Sequence, residues 1–159
     1  MRLALPLALC AALLATTASA QDERATPYWA SISSGQAMMR TGPGKTYPGT
    51  WLYQRRNLPV KVTQRYDNWR KIVDPDGAEG WMAVALLSDT RTGMVTSDIP
   101  APLRVGASLD SPVRYRAEPG VVGELDQCNG KTCLMRVGDR EGWIAQDALW
   151  GVDAGERFD

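Results

Sequence analysis

A chain of 159 residues with 18 basic and 18 acidic side chains carries no formal net charge. That balance argues against nucleic acid as a partner, because phosphate backbones are held by an excess of Lys and Arg. There is no histidine, so Ser-His-Asp and Cys-His catalytic sites are excluded and no enzyme is expected.

The first 20 residues read as an address. Met1-Arg2 supplies a positive charge, 3–15 is almost wholly apolar, and Ala18 and Ala20 form an A-x-A pattern. This is a secretory signal peptide cleaved near Ala20, which makes the mature protein periplasmic or secreted. The apolar run is too short for a span of about 20 residues, so no membrane span is expected. Leu9, rather than a small residue, precedes Cys10, and Cys10 leaves with the signal.

Residues 21–27 are polar and without pattern, a flexible leader. Tyr28–Ile32 begins ordered structure, and Met38-Met39-Arg40 is a short strand running into the tight corner Thr41-Gly42-Pro43-Gly44. The stretch 45–57 reads as a loop carrying Tyr47, Trp51 and Tyr53. Residues 59–65 alternate apolar and polar, the period of a strand with one buried face. Tyr66-Asp67-Asn68 turns the chain into a returning strand, 69–73. Asp74-Pro75-Asp76-Gly77 is a turn whose short acidic spacing lacks the Glu of a calcium-binding EF-hand loop. A third strand, Gly80-Trp81-Met82, ends in a helical turn over 83–86.

Glu79-Gly80-Trp81-Met82-Ala83 returns as Glu141-Gly142-Trp143-Ile144-Ala145, sixty-two positions on, and marks an internal repeat. Arg104-Val105-Gly106 likewise echoes Arg40-Thr41-Gly42, and Pro112 echoes Pro48. In this alignment 121–125 matches 60–64, and 133–137 matches 69–73. One unit occupies 28–87, a linker 88–93, a second unit 94–150 and a frayed tail 151–159.

Cys128 and Cys133 flank Asn129-Gly130-Lys131-Thr132, a turn-forming segment between two strands. In an oxidising compartment they form a disulfide across the hairpin mouth, stabilising the unit by about 2 kcal/mol. Two cysteines without histidine do not build a common zinc site, so neither metal nor cofactor is expected. The first unit has four tryptophans and no such bridge, which suggests that aromatic bulk fills it where the second uses a staple.

Each unit resembles a bacterial SH3 domain. The resemblance rests on the corner Arg40-Thr41-Gly42-Pro43-Gly44 with Arg104-Val105-Gly106-Ala107-Ser108, the alternating middle strands, and the terminal Gly-Trp-(Met/Ile)-Ala. It implies an all-β fold of two tandem SH3-like small β-barrels. It also implies a non-catalytic binding module, since many such domains hold cell-wall hydrolases on peptidoglycan or its peptide stems. The signature by which eukaryotic SH3 domains grip Pro-rich helices is not evident.

Among candidate residues, Trp81 and Trp143 are expected in the core or at a barrel corner, with Gly80 and Gly142 allowing close backbone approach. The candidate ligand groove is Tyr47, Trp51, Tyr53, Arg55, Tyr66 and Trp69, with Arg56 and Arg65 nearby. Aromatics would give contact area and arginines would pair carboxylates. The matching stretch of the second unit has only Arg114, Tyr115 and Arg116, and that unit reads as a spacer. The expected partner is peptidoglycan or its peptides. The alternative is an envelope protein, the chain then acting as an adaptor, inhibitor or sensor element.

Overall fold

The structure, a computed structural model, describes residues 24–159. The expected signal peptide over 1–20 and residues 21–23 of the leader lie outside them. Strands β1 (Tyr28–Ile32), β2 (Ala37–Arg40), β3 (Gly49–Tyr53), β4 (Pro59–Tyr66), β5 (Trp69–Val73) and β6 (Glu79–Ala83) come first. A 3-10 turn at Val84–Leu86 follows, then β7 (Leu87–Ser88). They form one sheet in the order β3-β2-β6-β5-β4-β1-β7.

The second copy repeats this plan: β8 (Thr92–Val95), β9 (Ala101–Arg104), β10 (Val113–Ala117), β11 (Val122–Asn129), β12 (Thr132–Val137), β13 (Arg140–Ala145), a 3-10 turn at Gln146–Ala148, and β14 (Leu149–Trp150). Its order, β10-β9-β13-β12-β11-β8-β14, matches the first strand for strand. All the pairings are antiparallel, and the register slips at the same place in each copy, between Val62 and Gln64 and between Leu125 and Gln127. An extra residue there bends the strand and helps curl a flat sheet into a barrel.

Period two builds each core. Val60, Val62, Ile72 and Met82 are fully buried in the first copy; Met135, Ile144 and Cys133 are in the second. The same alternation corrects the reading of the repeated tryptophans. Gly80 and Met82 face inward, so Trp81 between them faces outward and is only half-buried. Trp143 is placed likewise between Gly142 and Ile144. The glycines are needed because a Cβ on Gly80 would lie 2.6 Å from Met39 Cγ and 2.8 Å from the Arg40 carbonyl oxygen. On Gly142 it would meet Leu103 Cβ at 2.8 Å.

Several expectations change. The stretch 45–57 is not all loop: it contains β3, of which only Tyr53 is buried, so no alternation shows in its sequence. Ser88 pairs with Ser31, and Thr92 and Gly93 pair with Glu124 and Gly123, so the connection between the sheets narrows to 89–91. Strand pairing aligns Thr132–Arg136, not 133–137, with Trp69–Val73, and 123–127 with 60–64. The tail is not frayed. Val152 is buried, Arg91 forms a two-pronged ion pair with Glu156, and β15 (Arg157–Phe158) adds to β11 beside Cys128 and Asn129.

The disulfide joins Cys128 and Cys133, which are register partners on β11 and β12 and part of the second core. At the corresponding pair of the first copy stand Arg65 and Arg70. Arg70 is buried, and its guanidinium donates to the carbonyls of Asp67 and Trp69 and to the Tyr28 hydroxyl. Hydrogen bonds therefore close the first hairpin. Aromatic bulk does not fill that barrel: Tyr53 is the one ring among the buried residues of its core cluster, with Tyr28 packed against it, while Trp51, Trp69 and Trp81 lie outside it and Trp29 is buried against Trp150 of the second copy.

Candidate functional site

The corner loops are rigid, and their arginines are structural. Arg40 Nη1–H donates to the Tyr47 carbonyl at 2.8 Å, and Arg104 Nη1–H donates to the Ser111 carbonyl at the same distance. The amides of Thr41 and Val105 reach the carbonyls of Pro48 and Pro112, 3.0 Å in each copy. Each guanidinium thus spans the base of its loop, and the Tyr47 ring lies directly over Gly42, in the space a Cβ there would occupy.

With the loop fixed, the outer face of the first barrel can be assembled from strand register. Arg40, Trp81, Lys71 and Gln64 are successive partners across β2, β6, β5 and β4. Tyr66, Trp69 and Ala83 form the next row. Trp69 and Trp81 are therefore diagonal neighbours on one face, a spacing of about 7–8 Å within reach of large rings. Lys71 holds Glu79 at 3.2 Å. The sequence assigns Trp81 to the core or a barrel corner; here it faces outward and joins the surface candidates.

The other candidates divide. Tyr66 is 62% exposed at the tip of the β4–β5 hairpin, and Trp51 is 60% exposed on β3. Tyr47 is exposed on the corner loop. Strand order separates Trp51 from the Tyr66–Trp69 pair by β2 and β6, and its register partner is the buried Met39, so it does not share the face of Trp69 and Trp81 and the exposed aromatics do not cluster at one loop.

Tyr53 drops out. It is 5% exposed, and its hydroxyl donates to Asp74 Oδ2 at 2.9 Å. Burial first, and then the Asp74 carboxylate, push its phenol well above the ordinary value of 10.0. Asp74 Oδ1 also accepts from the amides of Asp76 and Ala78, so this carboxylate is committed to its turn. Arg55 points away from the aromatic face: its Nη2–H donates to the Gly120 carbonyl of the second barrel at 2.6 Å. What the sequence lacked was any sign of which alternate residues of β3 and β6 face inward.

No curated protein sequence matches the chain. Among solved structures it is similar to NlpC2 from Trichomonas vaginalis, with 11% identity over 79% of this chain and 48% of that one, TM-score 0.35. An NlpC/P60 family protein from Bacillus cereus gives 12% identity over 77% and 56%, TM-score 0.35. NlpC1 from Trichomonas vaginalis gives 11% over 86% and 50%, TM-score 0.33. The chain spans about half the length of each of these proteins. The bacterial SH3 domain model matches residues 33–89 and again 98–151, and with most of its length so matched the chain belongs to the bacterial SH3 domain family.

Proposed function

We propose that the protein is an exported, non-catalytic binding module that recognises peptidoglycan or its peptide stems in the cell envelope. The observation that carries this reading is the outer face of the first barrel. There Tyr66 is exposed and Trp69 and Trp81 are partly buried, around a core that is complete without them, while Trp51 is exposed separately on the edge strand β3, where it pairs with Met39. Flat, rigid rings held outside a finished core offer contact area for sugar rings and peptide planes at little entropic cost. Membership of a family that often binds cell-wall components supports it, as does a disulfide suited to an oxidising compartment. The absence of histidine removes the commonest hydrolytic triads.

The test is co-sedimentation of the mature protein with purified sacculi at low and moderate salt. Binding that survives salt and falls on Trp51→Ala or Trp69→Ala supports wall recognition. No pelleting of a protein shown folded by near-UV circular dichroism sinks it. A protein partner in the envelope is the second reading, favoured by the exposed aliphatic side chains Val105 and Leu109 on the corner loop of the second barrel and Val113 at the start of β10.

A further inference from the structure

The second barrel differs from the first in one place that the family match, ending at residue 151, does not reach. Its tail returns as β15 and sets Arg157 opposite Asn129, at the tip of the β11–β12 hairpin. The Arg157 guanidinium lies against the backbone of Gly130, its atoms 3.1 Å from where a Cβ would stand. Lys131 is the next residue. Facing this tip is the corner loop, tied to it by the Thr132 hydroxyl donating to the Ala107 carbonyl at 2.8 Å. Asn129 Oδ1 fixes the tip by accepting from the amides of Lys131 and Thr132.

Between tip and loop lies a depression of about 620 Å³, whose lining includes Ser108, Leu109, Asp110, Asn129, Lys131 and Arg157. A second, of about 470 Å³, adjoins it and shares Leu109 and Lys131. Lys131 and Arg157 form no ion pair with any described residue, unlike Lys61, Lys71, Arg91 and Arg136. Leu109 between the two depressions is 48% exposed. In the first barrel the positions of Lys131 and Leu109 are held by Asn68 and Lys45, and among the described residues no further strand brings a counterpart of Arg157 to its β4–β5 tip.

We infer that this cleft is a second binding site, which takes the free C-terminal carboxylate of a peptide whose last side chain is small or aliphatic. Lys131 and Arg157 hold the carboxylate, Arg157 with two parallel N–H donors. Leu109 covers the terminal side chain, and Asp110 on the loop favours a peptide that carries an amine over a simple fatty acid. The hydrogen-bonded tip and loop keep the cleft preformed, so binding orders little of the protein. The second barrel is then a reader in its own right and not a spacer. The inference rests on the peptide-recognition reading for its ligand class.

The test is calorimetric titration of the mature protein with acetyl-Lys-Ala-Ala, as the free acid and as the C-terminal amide. The free acid should bind, and amidation, Lys131→Gln or Arg157→Gln should each weaken it by about tenfold, the effect of removing one charge-assisted contact. Both variants replace exposed side chains, and Trp51→Ala on the other barrel should leave peptide binding unchanged. Equal binding of acid and amide, no binding of either, or indifference to both variants overturns the site. Sacculus binding by the parent protein, without binding of either peptide, removes this site and leaves the envelope reading. Peptide binding without sacculus binding does the reverse.

Discussion

Trp29 of the first barrel and Trp150 of the second meet edge to face, their ring centroids 5.0 Å apart and their planes at 88°. Trp150 Nε1–H also donates to the Pro59 carbonyl at 3.2 Å, and Lys61 sits over the Trp29 ring while pairing with Asp153. Met94 and Val122 of the second copy pack against the first core. The barrels thus share apolar surface, aromatic contact and a directed hydrogen bond.

Trp150→Ala should remove the edge-to-face contact and strand the Pro59 carbonyl. The expected loss is about 3 kcal/mol, the scale of large-to-small changes at aromatic sites. The cooperative link should also break, so that a single calorimetric unfolding transition in the parent becomes two in the variant. An unchanged transition would show that the barrels are held elsewhere.

Gly151→Ala should act at the same junction. Gly151 has φ 117°, and an added Cβ would press on the Thr92 carbonyl oxygen, with Pro59 Cβ at 3.1 Å. Backbone strain and backbone contact act together, and a destabilisation of about 2 kcal/mol is expected. Gly35→Ala is the control, because its Cβ would meet nothing closer than Arg56 Nε at 3.9 Å. Thermal melts of the pair check this.

Reduction of Cys128–Cys133 should cost about 2 kcal/mol, confined to the second barrel. Because Cys128 is the register partner of Phe158, amide exchange should rise in β11, β12 and β15 and stay unchanged in β4 and β5. Equal loosening of both hairpins would contradict the division of labour between the disulfide and the Arg70 hydrogen bonds.

Tyr53→Phe leaves Asp74 with its two backbone donors but without the phenol, at a cost of about 1 kcal/mol near neutral pH. The pH dependence has a definite sign. The folded-state pKa of Tyr53 is raised, so its contribution is complete below the unfolded value of 10.0 and declines as pH rises above it, where only the unfolded chain gives up the proton. Parent stability should therefore fall more steeply than that of Tyr53→Phe in urea titrations above pH 10.0.

Local pattern was enough for the architecture. The recurring Gly-Trp strands, the Arg-x-Gly corners and the alternation over 59–65 imply two copies of one small barrel, because each depends on neighbours in the chain. The hairpin spacing of Cys128 and Cys133 likewise contains its own register. Which face each residue takes was not local. Trp81 and Tyr53 exchanged places relative to expectation: strand phase turns Trp81 outward beside Trp69, whereas Tyr53 reaches Asp74, twenty-one residues on. The tail held no periodic signal, and its strand exists only because β11 leaves an edge beyond its pairing with β8. The contact of Trp29 with Trp150 and the closeness of Lys131 to Arg157 join residues far apart in sequence. Only the folded chain, by burying apolar surface between two similar barrels and completing an open edge, determines those meetings.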